Sequence, residues 1–179
     1  LASESTCRLP AEDPTEVRDG TWIERNSAPG AGGGRYLQAF NGVDPATCPA
    51  TPKPEQTARD CPRRADGTLT EADSDGVAYE VRSAGGRYDV WVRLRAPSRF
   101  GNGLGGRRSD SVLVSVDEGS AAEVGDVGIE PDRWAWAKLP SPVELPAGRH
   151  TVVLRVRERG TAVDELAVTP PGEAPAGTG

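Results

Sequence analysis

From Gly76 onward the apolar residues fall at every second position. "VAYEVR" sets Val77, Tyr79 and Val81 on one side, and "RYDVWVRLR" sets Tyr88, Val90, Val92 and Leu94 against Asp89, Trp91, Arg93 and Arg95. A period of two is that of a strand with one face buried. The "SAGG" between the two runs predicts a hairpin turn. "DSVLVSVDEG" aligns Val112, Val114 and Val116, "HTVVLRVRERG" aligns Val152, Leu154 and Val156 against Val153, Arg155 and Arg157, and "AVDELAVT" is a last strand. Upstream, "CRLPAED" predicts a short edge strand, because Pro10 cannot donate to a central ladder. "GTWIER" and "RYLQAF" predict two more, separated by the glycine-rich loop "NSAPGAGGG". Residues 41–75 show no periodicity and read as one long insertion, and "PPGEAPAGTG" reads as linker. Roughly nine or ten strands at turn-punctuated spacing predict an all-β sandwich. Its span is 1–169, with 170–179 as a C-terminal linker or tail.

Composition agrees: 22 glycines and 16 prolines against 5% aromatics favour short strands and turns over long helices. The length of 179 residues suits one domain better than two. No apolar run is long enough to span a bilayer, and a chain that starts at Leu1 without any methionine predicts a removed leader and secretion. The formal charge of −6 argues against nucleic acid, whose phosphates demand a basic surface. Cys48 and Cys61 bracket a proline-rich polar stretch that a disulfide would pin in a secreted protein. Cys7 is then left over, and three readings stay open: paired with one of those two, free, or bonded to another chain.

His150, the single histidine, follows "PAG" at an expected turn–strand junction and is read as structural. No pair of carboxylates is singled out for glycoside chemistry, so an enzyme is not expected. The sharpest feature is "DRWAWAKL". In a strand Trp134, Trp136 and Lys138 share one face, with Ala135, Ala137 and Leu139 on the other. In a chain with four tryptophans the large rings belong inside, so Trp136 is read as core, while Trp134 stays open between core edge and ligand contact. Trp91, off the valine row, suggests a covered outer face or a partner surface.

The succession "GRYDVWVRLRAPS", "DSVLVSVDEG", "RWAWAKL" and "LPAGRHTVVLRVRERGTAVDELAVT" resembles the galactose-binding-like β-sandwiches, in particular the carbohydrate-binding modules of families 6 and 35. The resemblance implies a jelly-roll sandwich, to which the insertion pinned by Cys48 and Cys61 is added, and the whole is expected to be a secreted, non-catalytic module whose partner is a glycan. The loop "APSRFGNGLGGRRSD" then offers Arg99, Phe100, Asn102, Arg107 and Arg108. With Trp134 for stacking, Phe100, Asn102 and Arg99 form the expected sugar site. The family opens on an E-A-E strand whose glutamates hold a structural calcium with an aspartate of the final strand. Here that pattern falls on Glu12 and Asp164, with Pro10 where the first glutamate would stand. The rival reading is an extracellular structural or assembly subunit, of filament or surface-layer type, using the same fold without sugar. Besides a glycan, the expected partners of the chain are a homo-oligomer or neighbouring domains of a larger protein, and no membrane is expected.

Overall fold

A computed structural model describes residues 6–18, 22–26, 28–39, 76–97, 110–117, 119–125, 129–157 and 160–176. The strands in chain order are β1 (Cys7–Pro10), β2 (Glu16–Val17), β3 (Trp22–Asn26), β4 (Arg35–Ala39), β5 (Val77–Arg95), β6 (Ser111–Val116), β7 (Ala122–Gly125), β8 (Trp134–Lys138), β9 (Val143–Val156) and β10 (Ala162–Thr169). A single 3-10 turn, Gly32–Gly34, precedes β4, and no α-helix occurs among the described residues. Among the described residues all the strand pairs are antiparallel. In one layer β10 pairs on one edge with β1 and β4 and on the other with the second half of β5, which pairs in turn with β8; β3 flanks β4. In the other layer the first half of β5 lies between β2 and β9, followed by β6 and β7.

The valine rows meet between the layers. Val77, Tyr79 and Val81 of β5, Val112 and Val114 of β6, and Val152, Leu154 and Val156 of β9 face Val90, Val92 and Leu94 of β5 and Leu166 and Val168 of β10 in one cluster. β-branched residues suit this arrangement, because their restricted rotamers cost little on a pleated surface and pack closely. Burying each such side chain contributes about 1.5–3 kcal/mol.

One expected turn is not there. "SAGG" does not reverse the chain: β5 runs unbroken from Val77 to Arg95, and β9 follows it through Ser83–Gly148 and Ala84–Ala147 pairing. Gly85 at φ +96° and Gly86 at φ +129° bend the strand instead, so that it leaves one layer and enters the other. "PAG" behaves likewise, with β9 running through it, and His150 lies within the strand opposite Val81 and not at its start. Two strands bending side by side keep their ladder, which a pair of hairpins would have given up.

Glycine-rich sequence around residue 30 and the segment after β10 both fold onto the β10–β5–β8 layer. Residues 170–176 turn back along it. Gly172 N–H donates to Asp89 Oδ2 at 2.9 Å, Thr169 Oγ1 donates to the Glu173 carbonyl at 2.8 Å, and Arg8 donates to the Ala176 carbonyl at 3.1 Å. The insertion 41–75, and with it Cys48 and Cys61, lies outside the described residues.

Candidate functional site: a tryptophan and cation face

The register of β8 on β5 decides where its side chains go. Directly opposed residues of an antiparallel pair share a face. Ala137 opposes Val92 and Ala135 opposes Leu94, and both of those β5 residues are fully buried, so the alanines point inward. Trp134 opposes Arg95, Trp136 opposes Arg93 and Lys138 opposes Trp91 on the outer face. The expectation of Trp136 as core is therefore wrong. The alanines take the inner side of β8, and the indoles are left outside, half-buried.

On that face each indole has a cation against it, and each cation has a carboxylate. Arg93 lies 5.7 Å from the Trp134 ring centre and pairs with Asp164. Arg8 lies 5.6 Å from the Trp136 ring centre and pairs with Glu165. Lys138 lies 5.3 Å from the Trp91 ring centre and contacts Asp89 Oδ2 at 2.8 Å. Such cation–ring contacts contribute about 0.5–2 kcal/mol each, more as they are desolvated. Burial on its own would raise the Asp89 carboxyl, but hydrogen bonds from Lys138 and Gly172 N–H and the Lys138 charge outweigh it, holding its pKa below the usual value. The alternation of "RYDVWVRLR" already sets Trp91 and Arg93 on one face. The partners across β8, β10 and β1 depend on registers that no local pattern carries.

Trp134 has further contacts. Its Nε1 donates to the Pro29 carbonyl at 3.1 Å, and Tyr36 meets it edge-on at 5.8 Å between ring centres. Gly30 sits against it at φ +81°, where an added Cβ would come within 3.3 Å of Trp134 Cδ1. The indole thus latches the loop before β4. At the same end β5 leaves the sheet: Ala96 bridges Pro131, its carbonyl accepts from Asp132 N–H at 2.8 Å, and Arg95 reaches Asp132 at 3.0 Å. The chain runs on from Pro97 toward Arg99, Phe100 and Asn102, which lie outside the described residues, as do Arg107 and Arg108. Of the four expected sugar-binding residues, then, the structure describes Trp134 alone.

Glu12 and Asp164, the expected calcium ligands, do come together, around the Gly32–Gly34 turn. A Cβ on Gly32 would lie 3.6 Å from Asp164 Oδ1, and one on Gly33 would lie 3.9 Å from Glu12 Oε1. A shift in the β10–β5 register between Val163 and Glu165 accompanies the turning of Asp164 to Arg93. Burial raises the pKa of both carboxyls; Arg93 opposes it at Asp164, and the Glu12 N–H and Arg35 oppose it at Glu12.

His150 stands apart from this face, with both ring nitrogens occupied: Nδ1 meets Asp117 Oδ2 at 2.8 Å and Nε2 meets the Pro146 carbonyl at 2.7 Å. Those contacts raise the imidazole pKa, and the same hydrogen bond lowers that of Asp117. Cys7 is a free thiol, half-buried against the core, and burial pushes its pKa up.

No protein-family model matches the sequence, and no curated protein sequence matches it. Solved structures do. A GH26-CBM35 β-(1,4)-mannanase from Podospora anserina superposes with a TM-score of 0.61 at 17% identity, over 97% of this chain and 29% of that one. This chain therefore spans under a third of the mannanase. The CBM35 from Cellvibrio japonicus Abf62 matches over 93% of this chain and 94% of its own, at 14% identity and a TM-score of 0.55. The family 35 carbohydrate binding module from Clostridium thermocellum matches over 92% and 98%, at 15% identity and a TM-score of 0.52. At such identities the likeness is one of fold, and the chain has the β-sandwich fold of family 35 carbohydrate-binding modules.

Proposed function

We propose that this chain is a secreted, non-catalytic carbohydrate-binding module that holds a glycan at the rim where Trp134 meets the exit of β5. The observation that carries the reading is the end-to-end match to two solved chains that are each described as a family 35 carbohydrate-binding module. Trp134 supplies a half-exposed indole at that rim, with one face already against Arg93. Phe100 is the second aromatic, and Arg99 and Asn102 are the polar groups for sugar hydroxyls. The other two outer indoles carry Lys138 and Arg8 against their rings, so a flat row of open stacking planes is not the mode of binding.

One stacked sugar with a few hydrogen bonds binds weakly, with a Kd on the order of micromolar to millimolar, because polar contacts largely exchange with water. Glycan-array screening followed by calorimetry on the hits tests the reading. Phe100→Ala and Trp134→Ala should each weaken binding at least tenfold while circular dichroism reports an intact sandwich. Absence of binding across neutral and acidic glycans would remove the proposal and leave the assembly reading in its place.

A further inference from the structure

The resemblance places a calcium ion between Glu12 and Asp164, and the two carboxylates do meet. What faces them is a set of N–H donors. Asp164, its side chain fully buried, accepts from Gly32 N–H on Oδ1 at 2.8 Å and from Arg93 on Oδ2. Glu12, whose side chain is 4% exposed, faces Arg35 Nε through Oε1 at 3.7 Å. Pro10 is exposed and brings no carboxylate. Calcium takes six to eight oxygens at about 2.3–2.6 Å, and an oxygen already facing an N–H is a poor ligand for it. Of the four oxygens of these two carboxylates, Glu12 Oε2 is the one buried without a hydrogen-bond partner, and one oxygen falls far short of a shell. No group of three or more His, Cys, Asp or Glu side chains suited to a metal exists among the described residues. The donor set does not fit the ion.

Two carboxylates are instead matched by two guanidiniums. We propose that Arg93, assisted by Arg35, takes the role that calcium has in the resembling modules and closes this seam without a metal. The geometry gives Arg93 the reach for it. It lies on β5, its carboxylate partner is on β10, that carboxylate also holds the turn before β4, and the same guanidinium lies against Trp134 of β8. A planar, permanently charged fork joins four segments in the way a multidentate cation does. The inference concerns stability and stands whether or not the rim binds sugar.

The test is calorimetric melting of the full chain, first stripped with chelator and then returned to millimolar CaCl2. Tm should not move, and titration calorimetry should detect no stoichiometric calcium; a calcium-dependent rise in Tm with one bound ion per chain would overturn the proposal. Arg93→Gln should lower Tm by on the order of 10 °C, as expected for a broken buried pair, with Arg93→Lys recovering part of it. An Arg93→Gln protein that melts with the wild type would also overturn it. Should that variant not fold, the loss itself agrees with the proposal and the wild-type calcium titration decides.

Discussion

The two faces of the β5–β8 ladder carry opposite solutions to the same problem. Inward, Val92 and Leu94 have no measurable exposure, Ala137 packs against the same core cluster, and Ala135 opposes Leu94 in the ladder. Outward, Trp91, Arg93, Trp134 and Trp136 are larger and half-buried, Lys138 is exposed, and the group is held by charge and ring contacts that reach β1 and β10. The largest side chains of β8 are on its outer side. Residue size is thus a poor guide to which face is core when the register of the neighbouring strand decides it. The contrast also separates two energetic regimes, because interior cavities are costly and solvated cation–ring contacts are modest.

The largest effect should come from the inner face. Leu94→Ala should cost about 2–5 kcal/mol in denaturant unfolding, since the cavity it leaves cannot fully collapse. Ala137→Leu, on the same face, should cost about 1–3 kcal/mol by overpacking, whereas an outward-facing position 137 would tolerate the change. The outer face should give less: Trp136→Ala should cost about 1–2 kcal/mol, the loss of a half-buried ring and its contact with Arg8. A value equal to that of Leu94→Ala would erase the distinction between the faces. Gly30→Ala should follow at about 1 kcal/mol, from a positive φ that alanine resists and from contact with Trp134.

The smallest effect is a slope with pH, from a pair that belongs to neither face. The His150 pKa is raised in the folded protein, so its contribution is complete below the ordinary imidazole value and fades as pH rises through the folded one. The Asp117 pKa is lowered, so its contribution is complete above the ordinary carboxylate value and is lost as pH falls through the folded one. Stability from this pair should therefore be greatest between those two ranges. Melting curves of wild type and His150→Gln across pH 5–9 should converge toward the alkaline end; parallel curves would contradict the pairing.

Much of this architecture was legible in residue order. Val77, Tyr79, Val81 and the later valine rows marked the strands because period-two burial is a local property of one strand. The bend at Gly85 was misread as a reversal because a positive-φ glycine serves both, and only the β9 partner distinguishes them. The Trp136 face was misread for a related reason. "WAWAK" states which residues share a side, and the choice of side belongs to Val92 and Leu94, some forty residues away in sequence. Arg93 and Asp164 were each visible in the sequence, but their meeting depends on the β10–β5 register and its bulge. Of the residues expected at the rim, Trp134 is described, and Arg99, Phe100 and Asn102 lie outside the described residues.

The folding-back of residues 170–176 has a mechanical meaning. β1 and β10 pair antiparallel with Cys7 opposite Val168, so the described chain enters and leaves this ladder at one end. Tension applied at those two points would open the ladder like a zipper, rung after rung, the weak direction for a β pair. The contacts of Gly172 with Asp89, Glu173 with Thr169 and Ala176 with Arg8 stand between the load and the first rung. Pulled from the C-terminal side, the strand would first have to shed this strap, so the force is met by side chains of the outer face before any of it reaches the valine interior.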